Sequence, residues 1–546
     1  MPRMTGGEAL VQQLYREGGR VVFGLPGVQL YGVMAALRDE PRVRFIQTRH
    51  EGATSYMADG YARAGGAGGF GSALVVPGPG LLNALSGLST AYSASSPVFM
   101  ISGQIPKAQI GKDIGLLHEV NDQLDCVRPV TKWQKRVPEI REVPAAVHQA
   151  VYHLRSGRPR PVEIELSPET MEDEDDVELL DPVRVERAIP PREDLDRATE
   201  LLLAARRPLI YAGGGIHASD AHEALGAAAD YLQAGVVTSA EGKGAVSDRN
   251  ELSMGAAVWA GSPVRELLVG ADVVLVVGSR LALAALKPEQ QVVQIDVDPD
   301  EIGRNHRKTF PLVGDARATL EALVERLRAG APARPSRKEE LHAVREATAA
   351  LDVQEPNATI LRSLRAGVPE DAIFVSGMTQ IGYYSRPFWP VYQARTFITS
   401  SYSGNLGYAY PVALGAKVAR PEKAVVSVSG DGGFMYNAQE IATAVQHKIN
   451  VVAVVFNDEA YGNVARDLDE SWGGQFGAAL VNPDFVKLAE AYGARGLRAK
   501  EPAEVGRLVR DAVQMDRPVL IEVKVSRMAR PAFFAALRKP TKYQQR

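Results

Sequence analysis

The chain has 546 residues, of which 45% are hydrophobic and 23% are charged; this composition is typical of folded globular proteins and excludes disorder as the main state. The 62 basic and 65 acidic residues give a net charge of −3, which argues against binding to nucleic acid or membrane surfaces through non-specific charge. The single cysteine, Cys126, excludes an internal disulfide and a multi-cysteine zinc site, and it fits a reducing compartment such as the cytoplasm. Since the sequence has neither a secretory apolar core near its start nor a run of roughly 18 apolar residues, we expect no signal peptide and no membrane span.

The length predicts about three or four domains, and the first block of predicted elements covers residues 1–168. It opens with a helical pattern over residues 8–17. Short buried strands are then predicted over residues 20–23, 73–76 and 98–101. Such short apolar runs between helical segments are typical of parallel strands that are buried on both faces.

A central block over residues 190–328 follows an acidic stretch, residues 169–176, and the prolines at 182, 190 and 191; we interpret the acidic stretch as a solvated linker. The order of its elements predicts an open Rossmann-like sheet. Its predicted strands cover residues 208–211, 236–238, 273–277 and 292–296. A third block over residues 340–528 and a C-terminal tail over residues 529–546 complete the chain. The predicted fold is therefore α/β, with three Rossmann-like parallel-sheet domains, the first and third of similar style.

The most specific segment lies in the third block, where a predicted strand over residues 424–429 runs into the sequence Gly-Asp-Gly-Gly at 430–433. A helix is predicted to follow, with Asn437 as its N-cap and Glu440 three residues later. The next strand is predicted over residues 451–456. The sequence thus contains one strand–helix–strand unit with a glycine-rich turn at its first junction.

This unit is predicted to bring Asp431 and Asp458 together, because parallel strands end at the same edge of their sheet. The glycines Gly430, Gly432 and Gly433 leave backbone N–H groups open to an anion. Carboxylates beside a phosphate cradle suit Mg²⁺, which prefers few carboxylates together with phosphate oxygens and water. The pattern predicts a metal–diphosphate site. The alternative is an ordinary glycine turn in which Asp431 only caps a helix.

The segment from Gly430 to Asp458 resembles the diphosphate motif of the thiamine-diphosphate (ThDP) enzyme superfamily, which opens with Gly-Asp-Gly and usually closes with Asn-Asn. The resemblance implies that Asp431, Asp458 and the backbone carbonyl of Ala460 bind Mg²⁺. The chain departs from the family pattern at Asp458, where asparagine is usual. Because a carboxylate also binds Mg²⁺, we expect binding to survive with altered metal affinity.

A second resemblance lies in the first block, where residues 49–53 (RHEGA) follow a strand-like segment over residues 43–47. They resemble the family motif around a glutamate, which implies that Glu51 hydrogen-bonds N1′ of the cofactor's aminopyrimidine. That contact favours the tautomer that removes the C2 proton of the thiazolium, a role that suits a buried carboxyl. The alternative is a glutamate that simply favours a helix start.

The same resemblance implies further cofactor contacts along the chain. The carbonyl of Gly404 would accept from the 4′-amino group, and Leu406 would force the cofactor into a bent shape that brings this group near C2. The turns that contain Gly27 and Gly78 could equally shape the pocket wall, and Leu406 could be an ordinary core residue. The complete set of predicted cofactor-binding residues is Gly27, Gly78, Thr379, Gln380, Gly404, Leu406, Gly430, Asp431, Gly432, Gly433, Asp458, Tyr461 and Gly462.

His118 and Glu119 are candidate catalytic residues beside Glu51. Acetolactate synthases usually carry Phe-Gln near this segment, and by that alignment His118 and Glu119 would face the reacting carbon. Histidine exchanges protons near neutral pH, and glutamate can act as an acid or a base. Such a pair favours decarboxylation or C–C lysis over simple acetolactate formation. The alternative is a charged pair on a surface loop.

The resemblance covers nearly the whole chain, in the order pyrimidine-binding, central and diphosphate-binding domain. It is greatest to the large subunit of acetolactate synthase, within a group that includes benzoylformate decarboxylase and pyruvate oxidase. It implies a cytoplasmic ThDP- and Mg²⁺-dependent enzyme that acts on 2-oxo acids, as a homodimer or homotetramer with active sites between subunits. We expect no nucleic-acid or membrane partner.

Three alternatives stay open at the level of sequence. The chain could be a non-oxidative 2-oxo-acid decarboxylase, a 2-hydroxyacyl-CoA lyase, or a catalytically silent protein that binds ThDP or a nucleotide. Some relatives hold FAD or ADP in the central domain, but the glycine turns at 213–215 and 278 serve the sheet in any case and support a nucleotide only weakly. The tail could fold over the active site or lie on the surface, and Trp472 could belong to a loop on the substrate side.

Overall fold

The computed structural model describes residues 2–527, apart from Leu283 and Ala285. In this part of the chain, three six-stranded parallel sheets are covered by helices, and one two-stranded antiparallel sheet stands beside them. This architecture confirms the α/β prediction with three Rossmann-like domains. Within the described residues, no helix is both long enough and apolar enough to cross a bilayer. The tail over residues 529–546 lies outside the described residues.

The first sheet has the strand order β3-β2-β4-β5-β7-β6, with every neighbouring pair parallel. Its four inner strands are short and wholly buried, as the apolar runs predicted, whereas the two edge strands are partly exposed. The elements of this region, in chain order, are β1 (Arg3–Thr5), α1 (Gly6–Arg16), β2 (Val21–Gly24), α2 (Tyr31–Asp39), β3 (Arg44–Gln47), α3 (Glu51–Ala64), β4 (Gly71–Val75), α4 (Pro79–Ala94), β5 (Val98–Gly103), α5 (Gln123–Val127), β6 (Trp133–Val137), α6 (Val143–Arg155), β7 (Val162–Leu166), α7 (Pro168–Glu172) and β8 (Glu174–Asp176).

The central sheet has the strand order β11-β10-β9-β12-β13-β14, which is the classical dinucleotide-fold order 3-2-1-4-5-6 when its strands are counted from the first. Its apolar residues form a core of their own. Its elements are α8 (Arg192–Ala204), β9 (Leu209–Ala212), α9 (Gly215–Ser219), α10 (His222–Leu232), β10 (Val236–Thr238), β11 (Ser253–Gly255), α11 (Pro263–Val269), β12 (Val273–Val277), β13 (Gln291–Asp296), β14 (Thr309–Val313), α12 (Ala316–Gly330) and α13 (Lys338–Ala349).

The third sheet has the strand order β16-β15-β17-β18-β20-β19. Counted from its first strand, this order is 2-1-3-4-6-5, and the first sheet has the same order, so the two domains share one topology. The elements are α14 (Asn357–Gly367), β15 (Ile373–Ser376), α15 (Gln380–Phe388), β16 (Phe397–Thr399), α16 (Ala409–Ala419), β17 (Val425–Gly430), α17 (Asp431–Met435), α18 (Glu440–His447), β18 (Val452–Asn457), α19 (Gly462–Trp472), α20 (Phe485–Ala491), β19 (Arg495–Ala499), α21 (Val505–Ala512) and β20 (Val519–Lys524).

The acidic stretch at residues 169–176 stays largely exposed, as its charge predicted, but it is a structured segment rather than a linker. Part of it belongs to helix α7, and β8 pairs antiparallel with β1, with Arg3 opposite Asp176. Arg3 Nε also donates to Glu174 at 2.9 Å. The basic residue at the start of the chain therefore gives this acidic run a partner that its local composition does not reveal.

The first and third domains share one hydrophobic core, and helices α3 and α16 cross at its centre. The crossing is close because each helix has a glycine at the contact. A Cβ atom on Gly60 would lie 2.0 Å from the carbonyl oxygen of Val412, and one on Gly415 would lie 1.9 Å from that of Met57. No side chain fits at either position unless the helices separate.

Replacing Gly60 by alanine is therefore expected to destabilise the protein by about 1–3 kcal/mol, because the added methyl group overpacks a rigid helix crossing. Gly226, inside helix α10, is the matched control, since a Cβ there meets nothing within 4 Å. Gly226→Ala is expected to be neutral or to stabilise by about 0.5–1 kcal/mol through helix propensity. Chemical denaturation of both variants measures the difference, and equal stability would contradict the close packing of α3 on α16.

Candidate active site

Asp431 and Asp458 stand at the carboxyl ends of β17 and β18, neighbouring parallel strands in which Gly430 pairs with Phe456. Burial raises the pKa of the Asp431 carboxyl. Burial and the charge of Asp431 raise the pKa of Asp458 to about 6. The backbone N–H of Ala460 contacts both carboxyls and offsets part of these shifts. The structure therefore brings the three predicted metal-binding residues together, Ala460 through its N–H group, and metal binding by its carbonyl stays a prediction.

A short antiparallel contact completes this cluster from a distant part of the chain. The N–H of Tyr461 donates to the carbonyl of Ala478, and that of Leu480 to the carbonyl of Glu459, each at 2.8 Å. This pairing brings Asn482 against the strand ends, where its Nδ2 donates to Oδ2 of Asp431 at 2.6 Å. The same nitrogen lies 3.1 Å from Oδ1 of Asn457. Asn482 thus fixes the orientation of the Asp431 carboxylate.

This donor set fits a divalent cation. Asp431 and Asp458 are two half- to fully buried carboxylates that repel one another, and a cation between them would remove that repulsion. Among the described residues, no group of three or more His, Cys, Asp or Glu side chains converges as a metal site. Two carboxylates with open positions for a backbone carbonyl, phosphate oxygens and water are the arrangement that Mg²⁺ accepts.

The glycines of this motif serve different purposes. A Cβ on Gly432 would lie 2.5 Å from the ring of Tyr461, so packing alone requires glycine there. Those on Gly430 and Gly433 would lie at ordinary contact distances, 3.5 Å from Thr379 and 3.6 Å from Leu406. None of the three adopts a positive φ. The packing of Gly432 is explained by the ring beside it, whereas binding of an anion by the backbone at Gly430 and Gly433 stays a prediction.

Gly462 begins helix α19 and borders the metal cluster directly. A Cβ on Gly462 would lie 2.2 Å from Oδ2 of Asp458, so the aspartate side chain occupies the space of the missing methyl group. Gln380 reaches the same helix from α15. With its amide turned to satisfy its neighbours, its oxygen accepts from Nη1 and Nη2 of Arg466 at 2.6 and 2.8 Å. Four predicted cofactor-binding residues, Thr379, Gln380, Asp458 and Gly462, thus line one side of the diphosphate motif.

The helix that follows this motif does not begin where the sequence predicted. A short helix, α17, starts at Asp431 itself, and α18 starts at Glu440 rather than after Asn437. The side chain of Asn437 does not cap α18 but donates to the carbonyl of Gly407 at 2.8 Å. It therefore holds the segment that contains Leu406 against the motif, which is a tertiary contact in place of the predicted cap.

The segment with Gly404 and Leu406 lies over this cluster. Gly404 has a φ of +62°, which favours glycine, and a Cβ there would lie 3.5 Å from the methyl group of Met378. Leu406 is only half-buried, so it is not an ordinary core residue. Its Cδ2 lies 3.6 Å from the position that a Cβ on Gly433 would take. A partly exposed leucine above the glycine motif agrees with the predicted role as a wedge.

Glu51 belongs to a second cluster, at the carboxyl edge of the first sheet. It is the first residue of α3, and His50 caps this helix by accepting from the N–H of Gly52 at 3.0 Å. Oε2 of Glu51 accepts from Nδ2 of Asn83 at 3.1 Å, and its Cγ lies 3.7 Å from the position of a Cβ on Gly80. Glu51 is half-buried rather than buried in the single chain, so the burial that its role favours requires a further surface to cover it.

Gly27 and Gly78 are both required by close packing at this edge. A Cβ on Gly27 would lie 2.2 Å from Cγ1 of Val76, and one on Gly78 would lie 2.3 Å from the carbonyl oxygen of His118. Gly78 also has a φ of +56°. Their turns follow β2 and β4, which are paired strands, so the two glycines shape one wall of the cluster. Close packing is enough to explain why both turns contain glycine, and cofactor contact by either turn stays a prediction.

His118 has a defined orientation beside these turns. Its Nδ1 lies 2.9 Å from Oε1 of Gln29, and Nε2 of Gln29 donates to the carbonyl of Leu117 at 3.3 Å. Because the amide oxygen can only accept, Nδ1 of His118 is the protonated nitrogen and Nε2 is left as the acceptor in the neutral ring. This arrangement suits an imidazole that takes up a proton.

Glu119 has a different environment from the one predicted. Its Oε2 accepts from the N–H groups of Ile114, Gly115 and Leu116, at 3.1, 2.7 and 2.9 Å. Its Oε1 is buried and has no hydrogen-bond partner among the described residues. The carboxylate therefore organises its own loop and so places His118. A direct acid–base role for Glu119 stays a prediction.

The glycine turns of the central domain pack on one another. A Cβ on Gly213 would lie 2.2 Å from the carbonyl oxygen of Gly278, and one on Gly215 would lie 2.5 Å from its Cα. The close approach of two backbones therefore explains these glycines without a nucleotide. Trp472, predicted on a loop, is the exposed last residue of helix α19.

The two clusters lie in different domains of the chain. Among the described residues, no hydrogen bond or ion pair joins Glu51 or His118 to Asp431 or Asp458. Sequence reasoning missed Asn482, Asn83 and Gln29, and the sequence contains no clear signal for them. Each is a lone amide residue that becomes significant only through a contact with a distant part of the chain.

Three family models match the chain in order. Residues 4–126 match the N-terminal TPP binding domain of thiamine pyrophosphate enzymes, residues 195–323 match the central domain, and residues 377–523 match the C-terminal TPP binding domain. The two TPP binding domains are those that contain the two clusters described above.

Relatives of similar length support the same assignment. The chain is 31% identical to a probable acetolactate synthase large subunit of Methanocaldococcus jannaschii, over 96% of this chain and 92% of that protein. It is 31% identical to the acetolactate synthase isozyme 3 large subunit of Escherichia coli, over 96% and 95%. It is 34% identical to the probable 2-ketoarginine decarboxylase AruI of Pseudomonas aeruginosa, over 93% and 91%. Acetolactate synthases and a probable decarboxylase are thus named among similar proteins.

Proposed function

The chain belongs to the thiamine pyrophosphate enzyme family, thiamine pyrophosphate being the same compound as ThDP, and from this premise we propose an Mg²⁺-dependent enzyme that decarboxylates 2-oxo acids and joins the remaining fragment to a second carbonyl compound. The observation that carries the proposal is the convergence of Asp431, Asp458 and Ala460 beside the glycine motif. The acetolactate synthase relatives support a carboligase.

We assign the residues of the diphosphate cluster to holding the metal and the cofactor. Asp431 and Asp458, with the carbonyl of Ala460, would bind Mg²⁺, and Asn482 would keep the Asp431 carboxylate in place. Leu406 and the carbonyl of Gly404 would orient the aminopyrimidine. When bound, ThDP supplies the electron sink for the C–C bond that is broken. The protein contributes placement, exclusion of water and control of protons.

Proton control falls to the second cluster. The carboxyl of Glu51 would hold a proton at N1′ of the aminopyrimidine, and Nε2 of His118 would take up or donate a proton at the substrate. Gln29 fixes the tautomer of His118 that leaves Nε2 free to accept. Glu119 would contribute through the shape of the loop.

A second copy of the chain would bring the two clusters together. Large apolar side chains are exposed beside both clusters, which is unusual for a surface that only faces water. On the first domain they are Val28, Tyr31, Leu82, Ile114 and Leu117, and on the third domain they are Tyr402, Met435, Tyr436, Val464 and Val481. We propose a homodimer, or a tetramer of two such dimers, in which these surfaces meet and cover Glu51. The single cysteine supports a reducing compartment such as the cytoplasm.

A non-oxidative decarboxylase is the second candidate. It is supported by His118, whose ring is held with one nitrogen free to exchange a proton, and by the relative that is named a probable 2-ketoarginine decarboxylase. A proton delivered to the remaining fragment releases an aldehyde, whereas a second carbonyl compound yields a longer product. The two candidates therefore differ in the product, not in the first step.

Product analysis tests the proposal. The protein would be incubated with Mg²⁺, ThDP and a panel of 2-oxo acids that includes pyruvate and 2-ketoarginine, with CO₂ release and product mass recorded. We expect ThDP-dependent CO₂ release, and acetolactate from pyruvate would support the carboligase. Free aldehyde alone would support the decarboxylase. Tight ThDP binding without turnover of any acid would contradict both and point to an acyl-CoA substrate or a non-catalytic role.

A further inference from the structure

Helix α18 lies against the segment that leads from strand β3 to Glu51, although helix and segment belong to different domains. Nε2 of His447 accepts from the N–H of Gln47 at 3.1 Å. Oε1 of Gln446 accepts from Nη2 of Arg49 at 2.7 Å. Such contacts occur at both ends of the helix, so α18 packs beside the backbone segment that leads into helix α3.

Glu440, the first residue of α18, makes the most unusual of these contacts. Its side chain is fully buried, and its two carboxylate oxygens accept from the backbone N–H of Arg49 at 3.1 and 3.2 Å. The N–H of His50 also contacts this carboxylate. The hydroxyl of Thr443 donates to Oε2 at 2.6 Å. Burial raises the pKa of Glu440 to about 7, and these donors oppose that shift.

The amides of Arg49 and His50 are the last two before helix α3 begins at Glu51. Backbone N–H groups at this point lie outside both strand and helix, so another group must satisfy them. Because one buried carboxylate accepts from both, it fixes the direction in which α3 leaves β3. That direction determines where the carboxyl of Glu51 lies, and an error of about 1 Å in a proton-transfer geometry can cost about 100-fold in rate.

We propose that Glu440 is a positioning residue for Glu51, which it serves by holding the backbone of Arg49 and His50 from the neighbouring domain. This inference rests on the proposed role of Glu51 in the proposed function. Glu440 touches neither substrate nor cofactor. Its effect is transmitted through two hydrogen bonds and the first turn of α3.

A simple interdomain brace is the competing explanation, since several residues of α18 contact the first domain. A brace would affect the melting temperature but not the geometry of Glu51 in the folded protein. Gln446→Ala is the matched control, because Gln446 lies on the same helix and its side chain, among the described residues, hydrogen-bonds to the side chains of Arg49 and Gln47 rather than to the backbone before α3. Glu440→Gln keeps the volume but turns an amide N–H₂ toward backbone donors.

The first measurement is backbone hydrogen–deuterium exchange in the protein without added cofactor, followed in peptides that cover residues 47–54. We expect Glu440→Gln to accelerate exchange there at least about tenfold, because the amides of Arg49 and His50 then share one uncharged acceptor oxygen in place of a carboxylate with two. Gln446→Ala is expected to exchange like the wild type. Unchanged exchange in Glu440→Gln would overturn the inference.

The second measurement is the rate at which protein-bound ThDP exchanges its C2 proton for deuterium, determined by rapid quench and NMR. We expect Glu440→Gln to slow this exchange about 10- to 100-fold while the Kd for ThDP stays within about threefold. We expect no further slowing when Glu440→Gln is added to Glu51→Gln, since both changes act through one group. Additive effects in the double variant would overturn the inference.

Two outcomes separate this inference from the function on which it rests. If wild-type protein exchanges the C2 proton no faster than free ThDP, or if Glu51→Gln has no effect, the proposed function fails and the inference fails with it. If both controls behave as expected and Glu440→Gln exchanges like the wild type, only the inference fails.

Should Glu440→Gln not fold, Thr443→Val removes the hydroxyl that orients the carboxylate at nearly constant volume. A smaller slowing in the same direction is then expected, and none would overturn the inference.

Discussion

Asp431→Ala is expected to abolish turnover and to weaken the combined binding of Mg²⁺ and ThDP at least about 100-fold, since even outer contacts of metal ligands are worth about 10- to 100-fold. Asp431 is the carboxylate that Asn482 holds in place and that stands directly beside Asp458. Without it, one buried carboxylate remains to balance the charge of the cation. The diphosphate then loses the metal that neutralises it.

Thermal unfolding with and without cofactor measures this prediction. A ligand present at 100 times its Kd stabilises the folded state by about 2.7 kcal/mol, so wild-type protein should melt at a clearly higher temperature with Mg²⁺ and ThDP. Asp431→Ala should show no such rise. Its melting temperature without cofactor should change little, because the lost contact with Asn482 is offset by relief of the repulsion from Asp458.

Asp458→Asn is the control for this experiment. It introduces the residue that the family motif usually has, so we expect metal and cofactor binding to persist with activity within about tenfold of the wild type. Cofactor binding by Asp431→Ala with wild-type affinity would contradict the metal site. Loss of binding in both variants would instead mean that this chain depends on two full carboxylates.

The strands and the relative position of the two aspartates could be predicted because they depend on local pattern and on one topological rule. The run of residues 273–277 is continuously apolar and consists of valines apart from Leu275, and it forms the strand Val273–Val277. Asp431 and Asp458 converge because consecutive parallel strands end at the same edge. Neither the local pattern nor this rule predicts that the first and third sheets have the same strand order, which only the structure reveals.

Contacts between distant residues could not be predicted. Asparagine is a common N-cap residue, but the side chain of Asn437 donates to the carbonyl of Gly407 instead, and the helix begins at Glu440. Asn482 reaches Asp431 across 51 positions, and Glu440 reaches Arg49 across 391. Local periodicity contains no information on such pairs. The domain limits at residues 168, 190, 328 and 340 stay a prediction for a related reason, since a linker is defined by what does not pack on it.

Burial was the least predictable property of the catalytic candidates. The role of Glu51 favours a buried carboxyl, yet in one chain it is half-buried with Asn83 as its hydrogen-bond partner. Glu119 was expected to face the substrate, but one of its carboxylate oxygens accepts hydrogen bonds from three backbone amides of its own loop. Exposure depends on which surfaces meet, and that depends on the whole assembly.

Glu51→Gln is expected to lower kcat by about 100- to 10,000-fold, which is the range that a positioned acid–base group contributes. Glutamine has the size of glutamate and can accept the hydrogen bond from Asn83, but it cannot hold and return a proton. The proposed metal ligands and diphosphate contacts belong to the other cluster. Cofactor affinity should therefore stay within about threefold, and the loss should appear in kcat rather than in binding.

Glu51→Asp distinguishes proton chemistry from simple contact. It keeps an ionisable carboxyl but shortens the side chain by one methylene, so we expect an activity between those of Glu51→Gln and the wild type. A half-buried residue with one side-chain hydrogen bond contributes little to folding, so neither variant should melt much lower than the wild type. Wild-type turnover in Glu51→Gln would contradict the assignment of Glu51, whereas equal losses in both variants would mean that the position of the carboxyl matters as much as its proton.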